Sequence, residues 1–190
     1  MYIKIVGLIG APGAGKDDVV SHRLVEKYGF KRLAFADRIK DCYYKEIGID
    51  DTYFKKCRGT KEEEEIRKGL WKYSDKMRKT NGNNYFINPV IQEAIDNKKT
   101  VISDIRTKDE LNEVLLKKPQ IIIVTRGKID CNAYNGDYFP ETRIPYHLIY
   151  SLLQEFPNVV SEFKNDFNTL EEAHEKFDKF YELIGGTNGS

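Results

Sequence analysis

An α/β fold built on a doubly wound, five-stranded parallel sheet is what this 190-residue sequence predicts. Two observations lead there. Short apolar runs of strand length alternate with segments of helical period, the pattern of a parallel sheet with helices on both faces. A glycine-rich turn, Gly10-Ala-Pro-Gly-Ala-Gly-Lys16, joins the first apolar run to the first helix, where such folds bind ligands. No repeat, linker or low-complexity stretch divides the chain, so one domain is expected over 1–184.

The elements follow in order. The first strand covers about 2–9. The first helix runs from about 16 to 28, with Val20, Leu24 and Tyr28 on one face and Gly29 as its stop. A short strand at 30–35 precedes a helix over about 37–47, with Ile39, Tyr43 and Ile47 as its apolar face and Gly48 closing it. Residues 48–60 show no clear period. A helix over 61–80 carries Ile66, Leu70, Tyr73 and Met77 as a buried stripe, and its Glu62–Glu65 run is a solvated first turn favoured by the dipole. A further helix covers about 85–97 and a third strand 100–104. Thr107-Lys-Asp-Glu110 is a capping box opening a helix with Leu111, Val114 and Leu115. The run at 119–125 is the most apolar strand and is expected to be buried on both faces. A weaker strand lies at 158–163. A second capping box at Thr169–Glu172 opens the last helix, whose face is Leu170, Ala173, Phe177, Phe180 and Ile184.

Composition narrows the function classes. The 31 basic and 30 acidic residues balance, so no net field recruits nucleic acid or a membrane. Cys42, Cys57 and Cys131 are odd in number and lack CxxC spacing, which reads as reduced thiols of a cytosolic chain. No apolar run has the length of a membrane span, and no basic region precedes an apolar one at the N-terminus.

The chemistry sits in residues 10–18. The spacing G-x-x-x-x-G-K after a strand is that of a phosphate-binding loop, whose backbone N–H groups cradle a nucleotide's phosphates. Gly10, Gly13 and Gly15 let the chain approach closely, with Ala11, Pro12 and Ala14 between them. Lys16 adds a point charge toward the β- and γ-phosphates at the helix N-terminus. Many such loops continue with a hydroxyl that ligates Mg²⁺, but here Asp17 and Asp18 follow. Asp17 reads as a magnesium-shell or proton-accepting group, or as a charge favoured by the helix dipole. Other polar residues fall at strand ends, where doubly wound sheets bind ligands. They are Asp37 and Lys40 after the second strand, Asp104 and Arg106 after the third, and Arg126 after the fourth. Asp104 is placed for a Mg²⁺ shell or for an ordinary turn. Trp71, Tyr73, Tyr85 and Phe86 are candidates to frame a base or to pack in the core.

Gly10–Asp17 with Lys-Asp, Phe35-Ala-Asp-Arg-Ile-Lys40, Tyr73-Ser-Asp-Lys-Met-Arg78 and Ile102-Ser-Asp-Ile-Arg106 together resemble the phage-type deoxynucleoside monophosphate kinases. These are P-loop relatives of adenylate kinase. The likeness is a series of short blocks up to Arg126, with another at 165–172. It implies a P-loop kinase fold with an acceptor-binding helical region about 36–98 and a lid about 127–146, while the residues Gly185-Gly-Thr-Asn-Gly-Ser190 read by themselves as a flexible tail. It implies transfer of the γ-phosphoryl of ATP to a (deoxy)nucleoside monophosphate, with Mg²⁺ accompanying the ATP. Residues 10–18 and Arg126 would hold ATP, and Asp17 and Asp104 the metal. Asp37, Lys40, Trp71, Arg78, Asp104 and Arg106 would hold the acceptor. Lys16, Asp17, Arg106, Arg126 and Arg143 would act on the transferring group. Where the family has Thr after Lys-Asp, this chain has Asp18, and its lid segment lacks a run of paired arginines. Cytoplasmic location is expected, in the host if the gene is phage-borne, with a homodimer as one assembly option. Two rivals stand beside this reading. One is a kinase for a hydroxyl on a nucleoside, a metabolite or a hydroxymethylated base in DNA, with Asp37 or Asp17 as base. The other is a nucleotide-binding ATPase with no small acceptor.

Overall fold

Continuous apolar runs, whose successive side chains turn to opposite faces, set the architecture. In the computed structural model, which describes residues 4–11, 13–127 and 146–186, five strands form one sheet. They are β1 (Lys4–Ile9), β2 (Lys31–Leu33), β3 (Lys99–Ile102), β4 (Gln120–Thr125) and β5 (Val160–Lys164). Their order is β2-β3-β1-β4-β5, with every neighbouring pair parallel. Leu8 lies opposite Ile122 and Val6 opposite Val101, so β1 is flanked on both sides. All five strands were legible, within two residues at their ends.

The helices are α1 (Lys16–Ser21, with wide turns, continuing as His22–Glu26), α2 (Phe35–Ile47), α3 (Asp51–Lys56), α4 (Lys61–Asn81), α5 (Ile87–Asn97), α6 (Lys108–Leu115), α7 (Tyr146–Glu155) and α8 (Leu170–Leu183). Alternate residues of β1 and β4 feed two separate cores. Ile5, Ile9, Ile121 and Ile123 pack with Ile91 and Ala94 of α5 and Leu111 and Val114 of α6. Val6, Leu8, Ile122 and Val124 pack with Val20 and Leu24 of α1 and Ala173, Phe177 and Tyr181 of α8. Helices therefore cover both faces, as the doubly wound reading requires. A satellite cluster of Tyr44, Phe54, Cys57 and Ile66 ties α2, α3 and α4 together.

Several predicted details differ. The segment 48–60 contains α3, capped by the Asp50 side chain accepting from Tyr53 N–H at 2.6 Å. At six residues this helix is too short to show a period. Helix α7 begins where the predicted lid ends. In α2 the buried residues are Phe35 and Tyr44, while Ile47 is 41% exposed. In α8 the inward face is Ala173, Phe177 and Tyr181, and Leu170 is 52% exposed. In α4 only Ile66 and Ser74 are buried, because the middle of its inward face borders a cavity. The capping box of α6 is present in both directions, and at α8 Thr169 accepts from Glu172 N–H at 3.2 Å. Cys42 and Cys57 are free thiols, and Cys131 lies outside the described residues. Among the described residues, no helix is long and apolar enough to cross a membrane.

Candidate active site

The carboxyl ends of the parallel strands bring the polar turns to one edge, where backbone bonds lock them together. Ser103 N–H donates to Leu33 O at 3.0 Å, Ile105 N–H to Leu8 O at 3.2 Å, and Asn165 N–H to Thr125 O at 2.7 Å. The turns after β3 and β5 are thus fixed to neighbouring strands, which preorganises whatever they carry.

The turn after β1 wraps onto the start of α1. Lys16 folds back over it, its Nζ donating to Gly10 O at 2.7 Å and Ala11 O at 2.9 Å. Gly15 precedes α1 with φ of 94°, and an added Cβ would come within 2.2 Å of Asn165 Nδ2. That amide donates to Ala14 O at 2.9 Å and is buried, so the β5–α8 turn braces the loop from outside. The first N–H groups of α1 lack intrahelical partners and no side chain caps them, which leaves donors and the positive dipole end for an anion. Burial lowers the Lys16 amine, with Arg106 adding to that effect and Asp17 and Asp104 opposing it. The amine therefore shares one electrostatic neighbourhood with the β3–α6 turn. Pro12 lies outside the described residues.

Beside this loop is a cavity of about 250 Å³ between α2, α4 and the β3–α6 turn. Trp71, Arg78, Asp104 and Arg106, all predicted acceptor residues, line it together. Asp104 is buried, and its two oxygens accept from Phe35 N–H at 2.7 Å and Ala36 N–H at 2.9 Å. It thereby caps α2, which has no side-chain cap of its own. Burial and the neighbouring Glu110 raise the Asp104 carboxyl to about 7, against Arg106 and the two N–H donors. Glu110 Oε2 accepts from the N–H groups of Arg106 and Thr107 at 2.8 and 2.9 Å. Its other oxygen lies 3.9 Å from Arg78 Nη2. Arg78 Nε is buried with no hydrogen-bond partner among the described residues. An anion entering the cavity would find that donor unsatisfied.

The remaining predicted residues are distributed around these two sites. Asp37 pairs with Arg32 at 2.8 Å and with Lys40 at 3.3 Å, and neither Asp37 nor Lys40 lines the cavity. Arg32 also reaches to 3.8 Å of Asp17, whose side chain is 62% exposed. Asp18 is exposed, its carbonyl 3.2 Å from His174 Nε2. Arg126 is exposed just past β4, where Gly127 N–H donates to Asp166. Arg143 and nearly all of the predicted lid lie outside the described residues. Four participants escaped the sequence reading. Arg67 and Ser74 share a face of α4 with Trp71 and Arg78, a spacing that was legible. Arg32 and Asn165 were not: one is a lone cation on a short strand, and the other acts on a loop some 150 residues away.

No family model matches this chain, and no curated protein matches it. Among solved structures, a sugar kinase from Janibacter sp. HTCC2649, determined unliganded, aligns over 99% of this chain and 99% of its own at 13% identity with a TM-score of 0.43.

Proposed function

We propose that this chain transfers the γ-phosphoryl group of ATP to the phosphate of a deoxynucleoside monophosphate, giving ADP and the deoxynucleoside diphosphate. The observation that carries the proposal is a cavity holding Arg78 and Arg106 beside a phosphate loop whose lysine feels Arg106 electrostatically. Two anion sites next to each other suit a donor triphosphate and an acceptor phosphate. Between them an acceptor oxygen attacks the γ-phosphorus while the bond to the ADP oxygen breaks. The acceptor is already ionised near neutral pH, so positioning and charge neutralisation suffice. The residues' roles follow from their places. Lys16 and the first N–H groups of α1 would bind the donor phosphates, with Lys16 exchanging its hold on Gly10 O and Ala11 O for phosphate oxygens. Arg78 and Arg106 would bind the acceptor phosphate. Trp71, Leu70 and Ile39 offer the apolar and aromatic surface a nucleoside needs.

Mg²⁺ chemistry fits this set in part. Among the described residues no cluster of three or more His, Cys, Asp or Glu is poised for a metal, but Mg²⁺ bound to nucleotide phosphates needs only one or two carboxylates. Asp17, exposed beside Lys16, is suited to that role. Asp104 is less so, since both its oxygens already accept backbone N–H groups. The ion would neutralise charge on the transferring group. A hydroxyl acceptor would need a carboxylate at the attacking oxygen. Asp37 is ion-paired away from the cavity, which leaves that rival weaker support. The deciding experiment is ADP production with Mg²⁺-ATP against a panel of ribo- and deoxyribonucleoside monophosphates. Strong stimulation by some deoxynucleoside monophosphates is expected. Slow hydrolysis indifferent to the whole panel would remove the proposal.

A further inference from the structure

The opposite end of the sheet carries a second cavity. Strands β1, β4 and β5 begin there, about 20 Å from the turns that form the candidate active site. It measures about 780 Å³, within the range of small-molecule pockets and larger than the cavity beside the phosphate loop. Its apolar surface comes from Ile5, Leu115, Leu116, Phe156, Val159 and Ile184. All but one of these are aliphatic, which suits a hydrocarbon chain better than a flat ring. Leu116 and Phe156 are exposed while lining it, so this end of the molecule leaves large apolar side chains uncovered.

Charge sets the other half of the ligand. Among the described residues Lys4 and Lys118 line the cavity and no acidic side chain does, in a chain with 30 acidic residues. Neither amine has a carboxylate partner among the described residues. The Lys4 ammonium stands instead 5.0 Å from the Tyr181 ring centroid and 5.9 Å from that of Phe30. Lys118 has φ of 52°, a left-handed conformation just after α6 where glycine is the usual choice. Helix C-termini favour cations, and α6, α7 and α8 all end here, so the lysines alone would not make a site. Unpaired amines beside uncovered aliphatic surface do.

We infer that this cavity is a second ligand site, one that takes a long-chain aliphatic carboxylate, its chain along the apolar wall and its head met by Lys4 and Lys118. Such a site is independent of the proposed reaction. The test is calorimetric titration of the full chain with octanoate, decanoate and laurate below their micellar concentrations, and with 1-decanol. One saturable site is expected, its Kd falling about tenfold for every two methylenes added. The alcohol should bind about fivefold or more weakly than decanoate, because it lacks the charge. Lys118→Glu should weaken decanoate about tenfold and leave 1-decanol within about twofold. Leu116→Asp should weaken both ligands. Both side chains are exposed, so both variants should keep the wild-type thermal midpoint, and either one alone can judge the site. Saturating ATP should leave laurate binding unchanged. Absence of saturable laurate binding, equal affinity for decanoate and 1-decanol, wild-type affinities in the variants, or displacement by ATP overturns the site. So does capture by anionic phospholipid vesicles without binding of monomeric laurate, which would make this surface a membrane contact.

Discussion

Asp178 sits where α8 meets α1 and accepts four hydrogen bonds: from Arg23 Nε at 3.0 Å, Arg23 Nη2 at 2.6 Å, Lys27 Nζ at 2.7 Å and Tyr28 Oη at 3.1 Å. Because α1 begins at Lys16, this cluster anchors the far end of the helix that follows the glycine-rich loop. Replacing Asp178 by Asn keeps the shape and removes the charge. Breaking a fully buried pair costs about 3–5 kcal/mol, and an exposed pair is worth about 0–1. The carboxylate side chain is 11% exposed, but its partners Arg23 and Lys27 are 26% and 32% exposed. The variant should therefore lose an intermediate amount, about 2–3 kcal/mol, in line with charge-assisted hydrogen bonds. For a chain of this size that is roughly 5–10 °C in Tm. Urea unfolding followed by circular dichroism should show a lower midpoint with an unchanged slope.

The same cluster gives a pH signature. Burial by itself pushes the Asp178 carboxyl up, but hydrogen bonds from Arg23, Lys27 and Tyr28 outweigh it and hold the group at about 2, below its ordinary 3.8. A depressed folded-state value means the unfolded chain takes up the proton first. The stabilisation is therefore complete above about pH 4 and drains away as pH falls toward 2. Wild type and Asp178→Asn should differ at pH 7 and converge near pH 2. A midpoint unchanged by the substitution, or a gap of equal size at both pH values, would refute this account of the cluster.

Other expected outcomes concern the site and its supports. Lys16→Met should lower kcat by about a thousandfold or more while leaving the thermal midpoint within a few degrees, read by coupled ADP assay and calorimetry. Gly15→Ala forces a side chain into a left-handed position and toward Asn165 Nδ2. It should cost more than about 1 kcal/mol in urea unfolding and weaken ATP binding. Gly69 sits mid-helix in α4 where an added Cβ would meet Tyr43 Oη at 1.8 Å. Gly69→Ala should destabilise by about 1–3 kcal/mol, and adding Tyr43→Phe should recover part of the loss in the same unfolding assay.

How far the sequence carried depended on whether a signal was local. Strands β1 and β4 were legible because each side chain belongs to one of two cores, so apolar residues continue through both phases of the pleat. Lys16 and Arg106 were singled out because each lies in a short polar block at a strand end, and Arg78 because of the resemblance; the structure brings Arg78 and Arg106 to one cavity. Asn165 was invisible because its meaning lies in a carbonyl at Ala14, reached only after β5 docks against β4. Arg32 was invisible for a like reason: Asp17 and Asp37 converge on it only after the sheet forms.

Helix α4 marks a different limit. Its apolar period was read as a core stripe, yet Leu70 and Trp71 border a cavity. Period reports which face of a helix turns inward, and says nothing about whether that face meets protein or a ligand. The charged residues on the inward face carry the missing information. A stripe meant for a dry core has no use for a buried guanidinium, because burying an unpaired charge costs far more than an aliphatic side chain gains. Arg78, whose Nε is buried without a hydrogen-bond partner among the described residues, fits a face that meets a ligand at that end, whereas Arg67 at the other end is exposed and pairs with Glu63. On the proposed function that ligand is the acceptor nucleotide, with its phosphate toward Arg78 and its ring along Leu70 and Trp71.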